Sequence, residues 1–265
     1  MGFFLVMKAE LVRSFIIMRR YWFATVMGMI VGYGMLIGLI FGFRSGTVDA
    51  HWATDQTEKV LGFVVGIFAF GIVGMFSQGL QGMARTGELE QVYMSPHGLI
   101  TNFLARSFVS SLISIPTWTI LLVFVSATLN SNLHADPFPT FVILLLTYLN
   151  LIGFGFMVGG LTLVFKQIGQ ATLLIRMGMV AVAFAANPDW YKLPAVILGA
   201  AHVVPITDAS ICLKLVLIKG MGLGVFSHPS FLFLLINVAL WTTLGVACFK
   251  YMENWSRDKG TLGAY

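Results

Sequence analysis

Residues able to carry chemistry are few and scattered along the chain. The histidines His51, His97, His134, His202 and His228 form no H-E-x-x-H and no pair at helical spacing. The two cysteines, Cys212 and Cys248, make no cluster, so no metal-ligand signature is present. A G-x-x-x-x-G-K-[S/T] loop is also missing, which excludes ATP hydrolysis by that route. Gly153, Gly155 and Gly159 echo a glycine-rich nucleotide fingerprint, but they lie inside an uncharged apolar run, not between a strand and a helix. A hydrolase needs a nucleophile and a base held together, and Ser77 and Ser126 have no histidine within apolar sequence to activate them. No catalytic residue, directly bound cofactor or metal is expected.

Two polar features remain. Arg176 is the one ionisable residue that falls within an apolar run at membrane depth. Such a group either lines a pathway or pairs inside a bundle, or it snorkels to the headgroups. The second feature is the stretch Ala84-Arg85-Thr86-Gly87-Glu88-Leu89-Glu90-Gln91-Val92-Tyr93-Met94-Ser95-Pro96-His97-Gly98. Gly87 can start a short helix and Pro96 or Gly98 can end it, leaving about two turns with Glu88, Glu90 and Gln91 exposed. It reads either as a docking element for a soluble partner or as a solvated turn. Glu88 and Glu90 point about 200° apart on a helix. Glu88, beside Gly87, suits the cap of the first turn, and Glu90, with Tyr93 three residues on, suits a contact.

The elements that must position these residues are membrane helices. Of 265 residues, 58% are apolar and 10% charged, with a mean hydropathy of +0.88. Soluble domains carry about 25% charged residues, so soluble, disordered and nucleic-acid-binding classes are excluded. The net charge of +5 comes from sixteen basic residues separated by long uncharged runs, which suits orientation in a membrane better than phosphate binding. The two cysteines read as separate small hydrophobes, and no cleavable signal peptide is expected.

Crossing about 30 Å of hydrocarbon takes roughly 20 apolar residues. Spans 22–43, 60–83, 107–129, 138–165 and 231–249 meet this, and none contains an Asp, Glu, Lys or Arg. A sixth, 168–186, includes Arg176. The apolar stretch Leu193 to Ile206 is too short to cross and contains Pro194, His202 and Pro205, so a re-entrant or interfacial hairpin is expected within an outer cap, 187–229. A second amphipathic turn, Asp208 to Lys219, ends at the glycines 220, 222 and 224.

Six spans put both termini on one side. With the termini inside, the inner segments hold ten Lys or Arg and the outer ones five, so the positive-inside rule puts both ends in the cytoplasm. Residues 3–20 carry Phe4, Met7, Leu11, Phe15 and Met18 at helical steps, with basic residues mostly on other faces. They predict an amphipathic interfacial helix, either an elbow that moves the first span or a passive anchor. Glycines four apart, such as Gly28/Gly32, Gly34/Gly38, Gly38/Gly42, Gly62/Gly66 and Gly155/Gly159, are candidate packing faces. The fold expected is an all-α polytopic membrane protein forming one transmembrane domain over residues 1–265.

Four segments together resemble the permease subunit of type-2 ABC exporters: the basic amphipathic start from Met7 to Arg20, the loop Arg85 to Pro96, the segment Phe165 to Gln170, and the tail Phe249 to Gly263. The resemblance covers essentially the whole chain. It implies two separate ATP-binding cassette subunits as partners, which carry ATP and magnesium, and a second permease copy or a homologous permease. It also implies a place in the bacterial cytoplasmic membrane. Glu88, Leu89, Glu90, Gln91, Tyr93 and Pro96 match the family's coupling helix, within a coupling loop over 84–106, and Pro194 to Gly220 matches its re-entrant hairpin and following helix. Arg176 departs from the commonly apolar fifth span and marks a candidate pathway element.

The function implied is export of a hydrophobic or amphipathic substrate, such as a drug, antibiotic, lipid or lipid-linked glycan, by alternating access. The absence of intramembrane acids speaks against proton coupling. A membrane scaffold or assembly factor that transports nothing is the alternative reading. A secondary carrier is disfavoured because no internal repeat is visible. Membrane lipids are expected partners; nucleic acid is not.

Overall fold

The computed structural model describes residues 2–42, 52–94, 98–129, 133–134, 136–165, 169–187, 190 and 194–259. Their regular structure is helical: α1 Gly2–Arg20, α2 Trp22–Gly42, α3 Trp52–Thr86, α4 Glu88–Tyr93, α5 Gly98–Leu129, α6 Pro137–Phe165, α7 Gly169–Ala185, α8 Ala195–Val203, α9 Thr207–Leu217 and α10 Pro229–Asp258, with a 3-10 turn at Gly222–Ser227. Ser95 to His97, Lys166 to Ile168, and the chain beyond Lys259 lie outside the described residues.

The sequence predicts six crossings. Among the described residues four helices are long and apolar enough to span: Gln56–Thr86, Gly98–Thr128, Pro137–Phe165 and Pro229–Asp258. The count is five if α1 and α2, which meet at 79°, act as one bent element. The shortfall against six has a simple cause in α7. Its 17 residues extend about 25 Å at 1.5 Å per residue, less than the roughly 30 Å of a hydrocarbon core. The segment expected between two spans over 84–106 holds the end of α3, the short α4 and, from Gly98, the first turns of α5.

Helix direction follows from which residues face each other. Gly62 and Gly66 of α3 abut Ala183 and Val180 of α7, and Gly74 abuts Arg176, so these two helices run antiparallel. On α6, Gly155 and Gly159 receive Phe76 and Leu80 of α3, so α3 and α6 run parallel. Gly153 and Gly160 meet Trp241 and Phe249, which makes α10 parallel to α6 as well. A β-carbon on Gly245 would stand 1.8 Å from the Gly153 carbonyl oxygen, so these two backbones touch with nothing between them. The glycine pairs at 62/66 and 155/159 therefore lie on packing faces, whereas Gly28, Gly34 and Gly38 of α2 meet nothing within 4 Å.

Aromatic rings fill the seam between the three parallel helices and α5. Phe76 stacks on Phe103 with centroids 5.6 Å apart and meets Phe156 edge-on at 4.8 Å, and Phe156 meets Phe249 edge-on at 5.2 Å. All four are fully buried or nearly so. Edge-to-face pairs of this kind add about 0.5 to 1.5 kcal/mol each beyond the area they bury.

The α8–α9 hairpin enters the bundle instead of lying across its end, as a re-entrant segment does. Its turn exposes carbonyls at the end of a helix, and buried carbonyls need donors. Three side chains supply them: Asn150 of α6 donates to Pro205 O at 2.6 Å, Asn237 of α10 to His202 O at 2.5 Å, and Trp241 of α10 to Val203 O at 3.1 Å. Asn150 lies thirteen residues into α6 and Trp241 twelve into α10, which sets the turn about 18 to 20 Å along those helices. We call this end of the bundle the hairpin end, and the other the α4 end.

Candidate functional site

Gly87 separates α4 from α3. Its φ of +73° is left-handed, a conformation that costs glycine little, and it lets the chain break from a 35-residue helix within one residue. Gly98, at φ +66°, starts the chain into α5. The short helix between them is held by its apolar face: Leu89 is 1% exposed and belongs to the main core, and Val92 packs against that core. Gln91 is exposed, and Met94, just past the helix end, is 85% exposed. Positions 91 and 94 are three apart and share the face turned from the bundle. Glu88 is half-buried. The side chains of Glu90 and Tyr93, and the whole of Pro96, lie outside the described residues. Met94 was not singled out by sequence reasoning, although its i+3 spacing from Gln91 was a readable signal.

α1 lies against α5, so the elbow expected of residues 3–20 packs on the same helix that follows the α4 segment. Its exposed apolar side chains include Phe4, Leu5, Val12, Phe15 and Ile16. Both basic residues of its last turn, Arg19 and Arg20, are exposed as well. This is the amphipathic composition of an interfacial helix.

Arg176 lies well away from α4. Its neighbour Gly74 is twelve residues before the end of α3 at Thr86, a separation of about 18 Å along the helix. The side chain is 4% exposed. Its guanidinium turns into α3, where Nε donates to Phe70 O at 2.8 Å and the group covers the Phe70 ring at 3.5 Å. Nη1 is buried without a hydrogen-bond partner. Arg176 is thus packed inside the α3–α7 seam. Gly74 makes the arrangement sterically feasible, since a β-carbon there would stand 2.3 Å from Nη2.

That contact yields an expected result. Gly74→Ala should lower the melting temperature by several degrees, the cost of about 1 to 3 kcal/mol for overpacking. In an Arg176→Met background the same substitution should cost almost nothing, because the guanidinium it collides with is gone. Thermal melts of the four proteins in one detergent measure the coupling. Equal losses in both backgrounds would show that Arg176 does not occupy the Gly74 face.

A third polar group was missed by the sequence reading. His202 Nδ1 and Asp208 Oδ1 are 2.7 Å apart, Asn237 Nδ2 lies 3.4 Å from Asp208 Oδ2, and the His202 ring stacks on Phe233 at 4.1 Å. Asp208 is 1% exposed. On the same helix, Ser210 Oγ donates to Ala183 O at 2.9 Å, and the buried Lys214 Nζ donates to the carbonyls of Phe184 and Ala186. A cation at the C-terminal carbonyls of α7 is favourable there. The only signal in the sequence was the spacing of His202 and Asp208 across Pro205, which means nothing until the turn is known to be tight.

Among the described residues no group of three or more His, Cys, Asp or Glu is placed to hold a metal ion. No protein-family model, curated protein or solved structure matches the chain. The fold by itself defines an all-α protein with several long apolar helices, consistent with a multi-pass membrane protein.

Proposed function

We propose that this chain is the membrane-spanning subunit of an ATP-driven exporter, with ATP hydrolysed by separate ATP-binding cassette subunits. It would work with a second permease copy or a homologous permease in a bacterial cytoplasmic membrane, both termini on the cytoplasmic side, and carry no chemistry of its own. The α4 end would then face the cytoplasm, and the hairpin end the outside.

The observation that supports this reading most is the construction of α4. A two-turn helix is anchored by a buried leucine at the end of a long apolar helix and presents a polar and a sulfur-containing side chain outward. A solvated turn needs no such anchor. Force applied at Gln91 and Met94 would pass through Leu89 into α3, and through α3 into both α6 and α7. The interfacial α1 on α5 would give a second route for the same motion.

The test uses the tagged chain purified from its native membranes into nanodiscs, with retained subunits identified by mass spectrometry. An ATP-binding cassette subunit should be retained by the wild type and by Lys250→Ala. Gln91→Ala combined with Met94→Ala should reduce retention about tenfold or more, as loss of a central contact does. Glu90→Ala with Tyr93→Ala is expected to do the same, and Glu88→Ala to do less. If the wild type retains no such subunit under crosslinking, the exporter reading fails.

A further inference from the structure

Two cavities adjoin along the seam of α3 and α5, sharing Phe68 and Trp118 as a common wall. The first, of 230 Å³, lies toward the hairpin end, bounded by α3, α5, α6 and α9, and is lined mainly by aliphatic side chains such as Val64, Leu122 and Leu144. The second, of 260 Å³, is different in kind: Ser110, Ser111 and Ser114 line it beside Phe70 and Gly71. Ser111 is 5% exposed and its hydroxyl is buried without a hydrogen-bond partner. Thr140, on the wall of the first cavity, likewise has a buried hydroxyl with no partner. Among the described residues no Asp, Glu, Lys or Arg lines either cavity, and the exposed His134 of the first is the one titratable group among those lining residues.

We infer that the two cavities form one binding site for an uncharged amphiphile, a compact molecule with an apolar ring system and one hydroxyl or carbonyl group. The reasoning rests on shape and on the unpartnered hydroxyls. A buried hydroxyl without a partner costs free energy, and a ligand bearing one polar atom relieves that cost once the Ser111 side chain turns about χ1 to meet it. A cavity of about 150 Å³ holds benzene, so the first chamber suits a group of about nine carbon atoms, and Phe68 and Trp118 offer ring edges and faces to it. A charged ligand would find no counter-ion among the described residues of either chamber. As the site of the exported molecule, this inference rests on the exporter reading. As a binding site it needs no ATPase, and the experiment addresses binding alone.

The probe is tritiated 1-naphthol, whose bound fraction is read by scintillation proximity on the full chain in nanodiscs, with empty nanodiscs subtracted. Saturable binding is expected. Val64→Phe, which fills the first chamber, should abolish it. Ser111→Ala should weaken 1-naphthol about threefold to tenfold, the effect of one hydrogen bond. Competition by 1-methylnaphthalene, which has no hydroxyl, should be unchanged in that variant. Ser111→Ala removes an unsatisfied group and should melt no lower than the wild type, so it decides the matter even if Val64→Phe does not fold. Absence of saturable binding, as when lipid tails already occupy the chambers, overturns the inference. So does binding that neither substitution alters. Saturable binding without a retained ATPase would leave the site standing and the exporter reading fallen.

Discussion

Asp208→Ala is expected to release the α8–α9 hairpin from the bundle. The carboxyl group is buried against His202 and within reach of Asn237, and losing one member of a buried hydrogen-bonded pair costs about 1 to 3 kcal/mol. Cys212 reports the outcome. It is fully buried on α9, four residues beyond Asp208, so a docked hairpin shields it from N-ethylmaleimide. In a Cys248→Ser background, Asp208→Ala should raise the rate of Cys212 labelling at least tenfold and lower the melting temperature. Asp208→Asn keeps an oxygen and an amide in place and should show a smaller effect. His202→Ala combined with Asp208→Ala should cost less than the two single changes added together. Labelling of Cys212 at the wild-type rate in Asp208→Ala would mean that Asn150, Asn237 and Trp241 hold the turn without help from the pair.

Gly245→Ala is expected to break the α6–α10 contact, with a loss at or above the upper end of the 1 to 3 kcal/mol range for an overpacked site. The added carbon falls on a backbone carbonyl, and a backbone cannot rotate away as a flexible side-chain end can. Gly178→Ala is the matching control. It sits on α7 with open space around the position and should carry no penalty. Melting temperatures and yields of monodisperse protein for the pair separate a steric collision from a general intolerance of alanine. Similar stability for both variants would place the α6 and α10 backbones farther apart than the structure has them.

The helices themselves were legible in the sequence because they leave a long uncharged trace. Residues 138–165 and 22–43 predict α6 and α2 to within a residue, since charge or proline stands close to both ends. The ends of α3 were less legible: the helix runs from Trp52, through Asp55, Glu58 and Lys59, all outside the apolar run. Hydropathy marks the part in lipid and is silent on polar extensions. The start of the short helix was legible from Gly87, whereas its end comes at Tyr93, before the Pro96 or Gly98 that the sequence offers as a stop.

The polar cluster was not legible, for a different reason. His202 and Asp208 come from one hairpin, Asn237 from α10 and Asn150 from α6, so the cluster exists only once three separate elements meet. The Arg176 contact was invisible in the same way, because it depends on Gly74 lying opposite on a helix that the sequence does not order in space. Glycines four apart also proved an incomplete guide: the tightest contact at any described glycine joins Gly153 to Gly245, a pair that no local spacing connects.

The side chains that satisfy the hairpin turn have a consequence for how the chain matures. Pro205 is served by Asn150, on a helix made before the hairpin, but the carbonyls of His202 and Val203 are served by Asn237 and Trp241, on a helix made after it. While α10 is still being synthesised, the donors that Asn237 and Trp241 bring to the turn are missing, and in a setting without water their absence keeps the turn from settling fully among its neighbours. α10 also brings Gly245 to Gly153, so one late arrival closes both the α6 groove and the turn beneath the hairpin. α10 acts as a keystone, and a nascent chain halted before it would hold the preceding helices around an unfinished interior.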